Sequence, residues 1–190
     1  MNASSPLPGL TPHRITVDEL GIFQRSGAFD RLPRMELLDG VLYEMSPQTS
    51  AHVRAKSRIM FRLQSRLTVM NGGMEAFPEP TIILNDATAP EPDVVICDSP
   101  QVEGYFPASS IRLAVVVAVT SLQTDLTYKQ SLYEAAGIAE YWVVDIASRC
   151  IHQFWQPTGT SYIQKQIVPF GINIIMMTMN TVSIDTADLD

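Results

Sequence analysis

The chain has 190 residues, 46% of them hydrophobic and 17% charged, with a net charge of −7 and a pI near 4.9. That length holds one sizeable core and is short for two ordinary domains, and the composition excludes disorder over most of the chain. The longest apolar run, Leu113 to Val119, spans seven residues, against about 20 for a helix that crosses a bilayer, so a membrane partner is excluded at this level.

Residues 1–15 carry three prolines and lack the basic start and apolar stretch of an export signal, which points to the cytoplasm. We read residues 1–12 as coil and 13–190 as a single domain. Thr16-Val17-Asp18-Glu19 has the form of a capping box and predicts a short helix over 16–26. Met35 to Leu38 and Val41 to Met45 flank Asp39-Gly40, a pair suited to a type I′ turn, so a β-hairpin is expected. After Ser46-Pro47 a breaker-free segment runs to about Met70, with Ile59, Met60, Leu63 and Leu67 at helical spacing and Gly72-Gly73 to close it. This is the principal helix.

Residues 81–84 form a short apolar run, 89–92 alternate with proline and must be irregular, and Asp93 to Cys97 reads as a strand that begins at its acid. Residues 98–110 read as a surface loop. Leu113 to Val119 is continuous and β-branched, as expected of a central strand buried on both faces. A helix over 125–136, ended by Gly137, leads to a strand over 140–145, and this crossover implies a right-handed parallel βαβ unit. Apolar runs at 150–155, 161–168 and 172–177, separated by turn residues, suggest antiparallel strands. Cys97 and Cys150 fall inside strands, belong to no Cys-x-x-Cys pair and read as buried thiols. The expected fold is α+β: a central mixed β-sheet flanked by helices, with a β-rich C-terminal part.

Charge is segregated along the chain. Arg54, Lys56, Arg58, Arg62 and Arg66 lie within 13 residues that contain no acid, whereas residues 67–111 carry seven acids and no Lys or Arg. Arg54, Arg58, Arg62 and Arg66 are four apart and share one slowly winding helix face. Such a ridge can track phosphates, and duplex DNA is the partner it suggests; the alternative is a solvated face or a partner for the acids that follow.

Glu91-Pro92-Asp93 places carboxylates at a strand start, where proline excludes helix and leaves them accessible. Metal-assisted phosphodiester hydrolysis needs at least two hard oxygen ligands and a cation to orient water or stabilise charge. Asp93 qualifies as a ligand, and Lys129, one of three lysines, lies early in the helix after the central strand. The bland alternatives are a turn-capping acid at Asp93 and an i−4 ion pair of Lys129 with Asp125. Trp142, Tyr141 and the methionines at 176, 177 and 179 read as core.

The motifs at 13–19 and 34–40, Met45-Ser46-Pro47 with His52, Glu79-Pro80, Glu91-Pro92-Asp93-Val94, and the block from Lys129 through Tyr133 and Gly137 to Asp145 occur in order over 13–189. Together they resemble the bacterial "putative restriction endonuclease" domains of the PD-(D/E)XK nuclease superfamily. That resemblance implies a restriction-endonuclease-like core, a metal-dependent DNA endonuclease activity with Mg2+ or Mn2+, and often a homodimer. It implies metal binding by Asp93 and by a glutamate in a Val-Glu-Val strand, with Lys129 displaced onto the next helix, and it draws Glu36 and His52 toward the same cleft. The glutamate position is Ala118 here, so metal binding is expected to be weak or absent if that alanine is native. The competing expectation is a non-catalytic nucleic-acid-binding or interaction protein on the nuclease scaffold.

Overall fold

The structure, a computed structural model, describes residues 9–98 and 103–189. The expected N-terminal coil therefore lies, for residues 1–8, outside the described residues, as do residues 99–102 of the expected loop. The N-terminal half contains α1 (Val17–Arg25), β1 (Met35–Leu38), β2 (Val41–Glu44), α2 (Ser50–Met70), β3 (Glu75–Pro78), β4 (Ile82–Ile83) and β5 (Val94–Cys97). There follow β6 (Phe106–Pro107), β7 (Ile111–Ala118), α3 (Leu122–Thr124), a π-helical turn (Asp125–Lys129), α4 (Gln130–Ala135) and β8 (Glu140–Asp145). The chain continues through β9 (Cys150–Pro157), β10 (Tyr162–Pro169), β11 (Ile174–Ile175) and β12 (Ser183–Ile184).

The fold is α+β around a six-stranded mixed sheet in the order β10-β9-β8-β7-β5-β3. Only β7 and β8 are parallel, joined by the helical crossover, and their neighbours are antiparallel. Alternation along β7 accounts for its unbroken apolar sequence. Leu113, Val115 and Val117 enter one core with Ala55, Ile59, Leu63 and Leu67 of α2, while Ala114, Val116 and Ala118 enter a second with Tyr133 and Ile138. Apolar surface on both faces of one strand leaves it stable only where both faces are covered.

The local signals are realised with small shifts. Thr16 and Glu19 form the reciprocal capping box at the start of α1. α2 is capped by Thr49 and ends one residue before the expected glycines, at Asn71, whose φ of 50° supplies the left-handed terminus. Asp39 and Gly40 both have positive φ, as a type I′ turn demands, and a Cβ at Gly40 would come within 2.5 Å of Arg14 Cβ. Within the expected loop, β6 pairs in parallel with β4, and a 3-10 turn follows. The β1–β2 hairpin stands apart from the large sheet and is fastened by two hydrogen bonds between Leu37 and Ala89 and by the Gly40 amide to Ala87. Among the described residues no helix is long and apolar enough to cross a membrane.

Candidate active site

A cleft of about 410 Å³ opens where the first turn of α2, the end of β7 and the π turn meet the hairpin. Four residues singled out in the sequence, Glu36, His52, Asp93 and Lys129, line it together, although they come from four separate elements. Pro92 prevents the chain before β5 from coiling, and the antiparallel register that sets Val94 against Val115 carries Asp93 to the level of Val116. One Asp93 oxygen accepts the Val117 amide at 2.7 Å, and the other lies 3.1 Å from His52 Nε2. The first contact ties the acid to the backbone of the neighbouring strand, which fixes its direction in the cleft. His52 sits in the first turn of α2, where its amide is capped by the Thr49 hydroxyl. A carboxylate only accepts, so Nε2 is the donor in this contact, and the buried Nδ1 has no hydrogen-bond partner.

Lys129 reaches across to the hairpin, with its ammonium 2.8 and 2.9 Å from the two oxygens of Glu36. Both groups are largely shielded from solvent. The ion pair therefore is not the i−4 pairing with Asp125 that the spacing allowed. A π turn places an extra residue in the helical repeat, and this changes the phase between residues 125 and 129. The adjacent Tyr128 hydroxyl donates to Asp39 at 2.6 Å, a second tie between turn and hairpin. Together the two contacts fasten the hairpin side of the cleft to the π turn.

Sequence reasoning missed Asp125. Its side chain is 2% exposed yet faces the cleft, and the Ser121 hydroxyl donates to it at 2.5 Å. Burial pushes its carboxyl pKa up; the Ser121 hydrogen bond and Lys129 oppose that rise, while the negative charges of Glu36 and Asp93 add to it. The signal that could have found it is position: just beyond the carboxyl end of a parallel strand, where sites of α/β sheets collect.

A second network joins the cleft lining through Gln48 and Glu91. Glu79 accepts from Arg34 at 2.5 Å, Gln48 at 2.5 Å and Lys56 at 2.7 Å, and Arg34 also reaches Glu91 at 2.6 Å. Partial burial would raise the Glu79 carboxyl, but the hydrogen bonds from Lys56, Arg34 and Gln48 outweigh it and hold the group at about 2. Glu91 additionally accepts from Thr81. Arg34 and Lys56 thus neutralise acids that in sequence stand far from any cation.

One expectation needs correction. Ala118 lies opposite Asp145 on β8 and is packed in the second core, and it does not line the cleft; Val116 and Val117 form that wall. The level of Asp93 on β7 is two residues earlier than the motif spacing implied. None of Arg54, Arg58, Arg62 and Arg66 lines the cleft either. Arg62 donates to the carbonyls of Asp185 and Ala187 at 2.7 and 2.8 Å, and Arg66 to that of Ser183 at 3.0 Å. At these two positions the arginine face contacts the C-terminal segment. Arg54 is exposed and Arg58 half-buried.

A family model described as "Uma2: Putative restriction endonuclease" matches residues 22–187. Among solved structures, the chain is similar to a putative nuclease belonging to DUF820 from Anabaena variabilis ATCC 29413. Their TM-score is 0.68 at 16% identity, covering 92% of this chain and 97% of that one. No curated protein matches.

Proposed function

We propose that this chain, which belongs to the Uma2 family of putative restriction endonucleases, is a divalent-metal-dependent endonuclease that hydrolyses phosphodiester bonds of duplex DNA in the cleft around Asp93. The observation that carries this reading is that Glu36, Asp93 and Asp125 line one cleft together with Lys129 and His52. The donor chemistry fits a hard cation: oxygen predominates, and the raised carboxyl of the buried Asp125 marks a place short of positive charge. Asp93 and Asp125 would hold Mg2+ or Mn2+, and the bound ion would polarise a phosphoryl oxygen and acidify water.

The residues of the chain take the other roles. Lys129 has three N–H groups and turns two contacts toward Glu36, which leaves a donor for a phosphate oxygen or an attacking water. Glu36 is the positioning residue for that ammonium. His52 orients Asp93 through Nε2. Since a duplex has two strands to cut, the proposed working form is a homodimer.

A second reading is a non-catalytic nucleic-acid-binding protein on the same scaffold, favoured by the apolar wall of Val116 and Val117 beside Asp93. Plasmid nicking with Mg2+ or Mn2+ separates the two. The endonuclease reading expects nicking by the parent and a loss of about a hundredfold or more in Asp93→Asn and Lys129→Met, with folding intact. Duplex binding without nicking in either metal would establish the second reading.

A further inference from the structure

Among the described residues, one group of three potential metal donors converges, and it lies outside the cleft. β8 and β9 run antiparallel with Asp145 opposite Cys150 and Val143 opposite His152, so Asp145, Cys150 and His152 project from the same face of the sheet. Their donor atoms lie within 4.8 Å of one another. Cys150 Sγ is 3.8 Å and Asp145 Oδ2 4.0 Å from the same ring nitrogen, Nε2 of His152.

That shared nitrogen decides between two chemistries. A thiol nucleophile with its base and orienting acid uses opposite nitrogens of the imidazole, one facing sulfur and the other the carboxylate. Here both face Nε2, which is the arrangement of a chelate. Sulfur at about 2.3 Å and nitrogen at about 2.0–2.1 Å from a tetrahedral zinc stand roughly 3.5 Å apart, so that pair closes by a few tenths of an ångström, and the carboxylate oxygen moves in by somewhat more. The framework for that closure is stiff, because all three residues sit on or at the end of paired strands. The Ser148 amide donates to Asp145 Oδ1 at 3.0 Å, which turns Oδ2 toward His152.

We propose that Asp145, Cys150 and His152 form a three-ligand site for a borderline divalent cation of the Zn2+ kind, with a fourth position for water. One sulfur, one imidazole and one carboxylate favour zinc over the hard ions suited to the Asp93 cleft, so the two sites select different metals. His152 keeps partial solvent access, which gives an ion a way in. Burial, reinforced by Asp145, pushes the Cys150 thiol pKa up, so binding displaces a proton. Asp145 lies on β8 and the other two ligands on β9, so an ion here cross-links these two strands at one end of the sheet.

Co2+ is the probe that tests this, because its thiolate charge-transfer absorption appears only when sulfur is a ligand. The chain has two cysteines, and Cys97 is fully buried at 0% exposure, so such a band reports Cys150. The expected result is one thiolate-ligated Co2+ per chain, displaced by Zn2+ and not by excess Mg2+, with a rise in Tm on adding Zn2+. Cys150→Ser and His152→Ala should each weaken binding by about tenfold or more and remove the Tm rise, while Asp93→Asn leaves both intact. Thermal melts without metal verify that each variant is folded. A folded parent without the band, or a band that survives Cys150→Ser, overturns the site.

Discussion

Glu140 and Asp125 are both buried acids, and they differ in what surrounds them. Each oxygen of Glu140 accepts two donors: Trp142 Nε1 and Gln153 Nε2 on one, both at 2.6 Å, and the Thr178 amide and hydroxyl on the other, both at 2.8 Å. Asp125 receives the Ser121 hydroxyl and otherwise faces a cleft that holds Glu36 and Asp93. A carboxylate saturated by fixed donors ties β8, β9 and the C-terminal segment together, and is part of the fold. A carboxylate buried with few donors and with like charges nearby is strained toward protonation, and a ligand can relieve it.

The largest expected effect comes from breaking the saturated member. Glu140→Leu leaves four donors without an acceptor and should cost about 3 kcal/mol or more, read as a fall in the urea midpoint. Asp125→Asn should do the opposite to the fold and harm the chemistry: stability at neutral pH rises, while metal-dependent nicking falls by about tenfold or more. A variant that loses both together would place Asp125 with Glu140 as a structural acid.

The same contrast has a pH signature. Asp125 has a folded pKa above its unfolded value, so the native state binds more protons and stability declines as pH rises from about 4 through the raised value. The decline should vanish in Asp125→Asn, as measured by melts across pH 3–8. Glu79 runs the other way: held at about 2 from 4.5, it adds stability above the unfolded value that is lost as pH falls toward 2. Because the Glu79 side chain keeps partial solvent access, which screens its ion pairs, Glu79→Gln should produce only a small loss, visible as a reduced acid-side slope. The smallest effect is expected from Arg66→Ala, which removes one contact to the Ser183 carbonyl and should show as faster hydrogen exchange around β12 with little change in nicking.

Elements set by neighbouring residues were legible in the sequence. The capping box at Thr16, the Asp-Gly turn, the apolar stripe of α2 and the twice-buried β7 each depend on contacts a few residues apart or on one repeat. Of the candidate site, Asp93 and Lys129 were reachable as residue types in suggestive places, and family motifs added Glu36 and His52. Asp125 was hidden because an acid near the start of a helix is ordinary in sequence, and only its burial in the cleft distinguishes it.

What the sequence by itself determined, then, is the order and kind of the elements, the α+β class and the family. Tertiary structure decided which side chains meet. Register along β5 and β7 is settled by packing of both sheet faces, and it moved the cleft wall from Ala118 to Val116 and Val117. The π turn set the phase of Lys129 toward Glu36, 93 residues away in sequence. The arginine repeat of α2 was plain from its spacing, yet a periodic charge states only that a face exists. Arg62 and Arg66 lie against carbonyls more than 100 residues later, contacts that no local pattern records, because they form only when the C-terminal segment folds back over the helix.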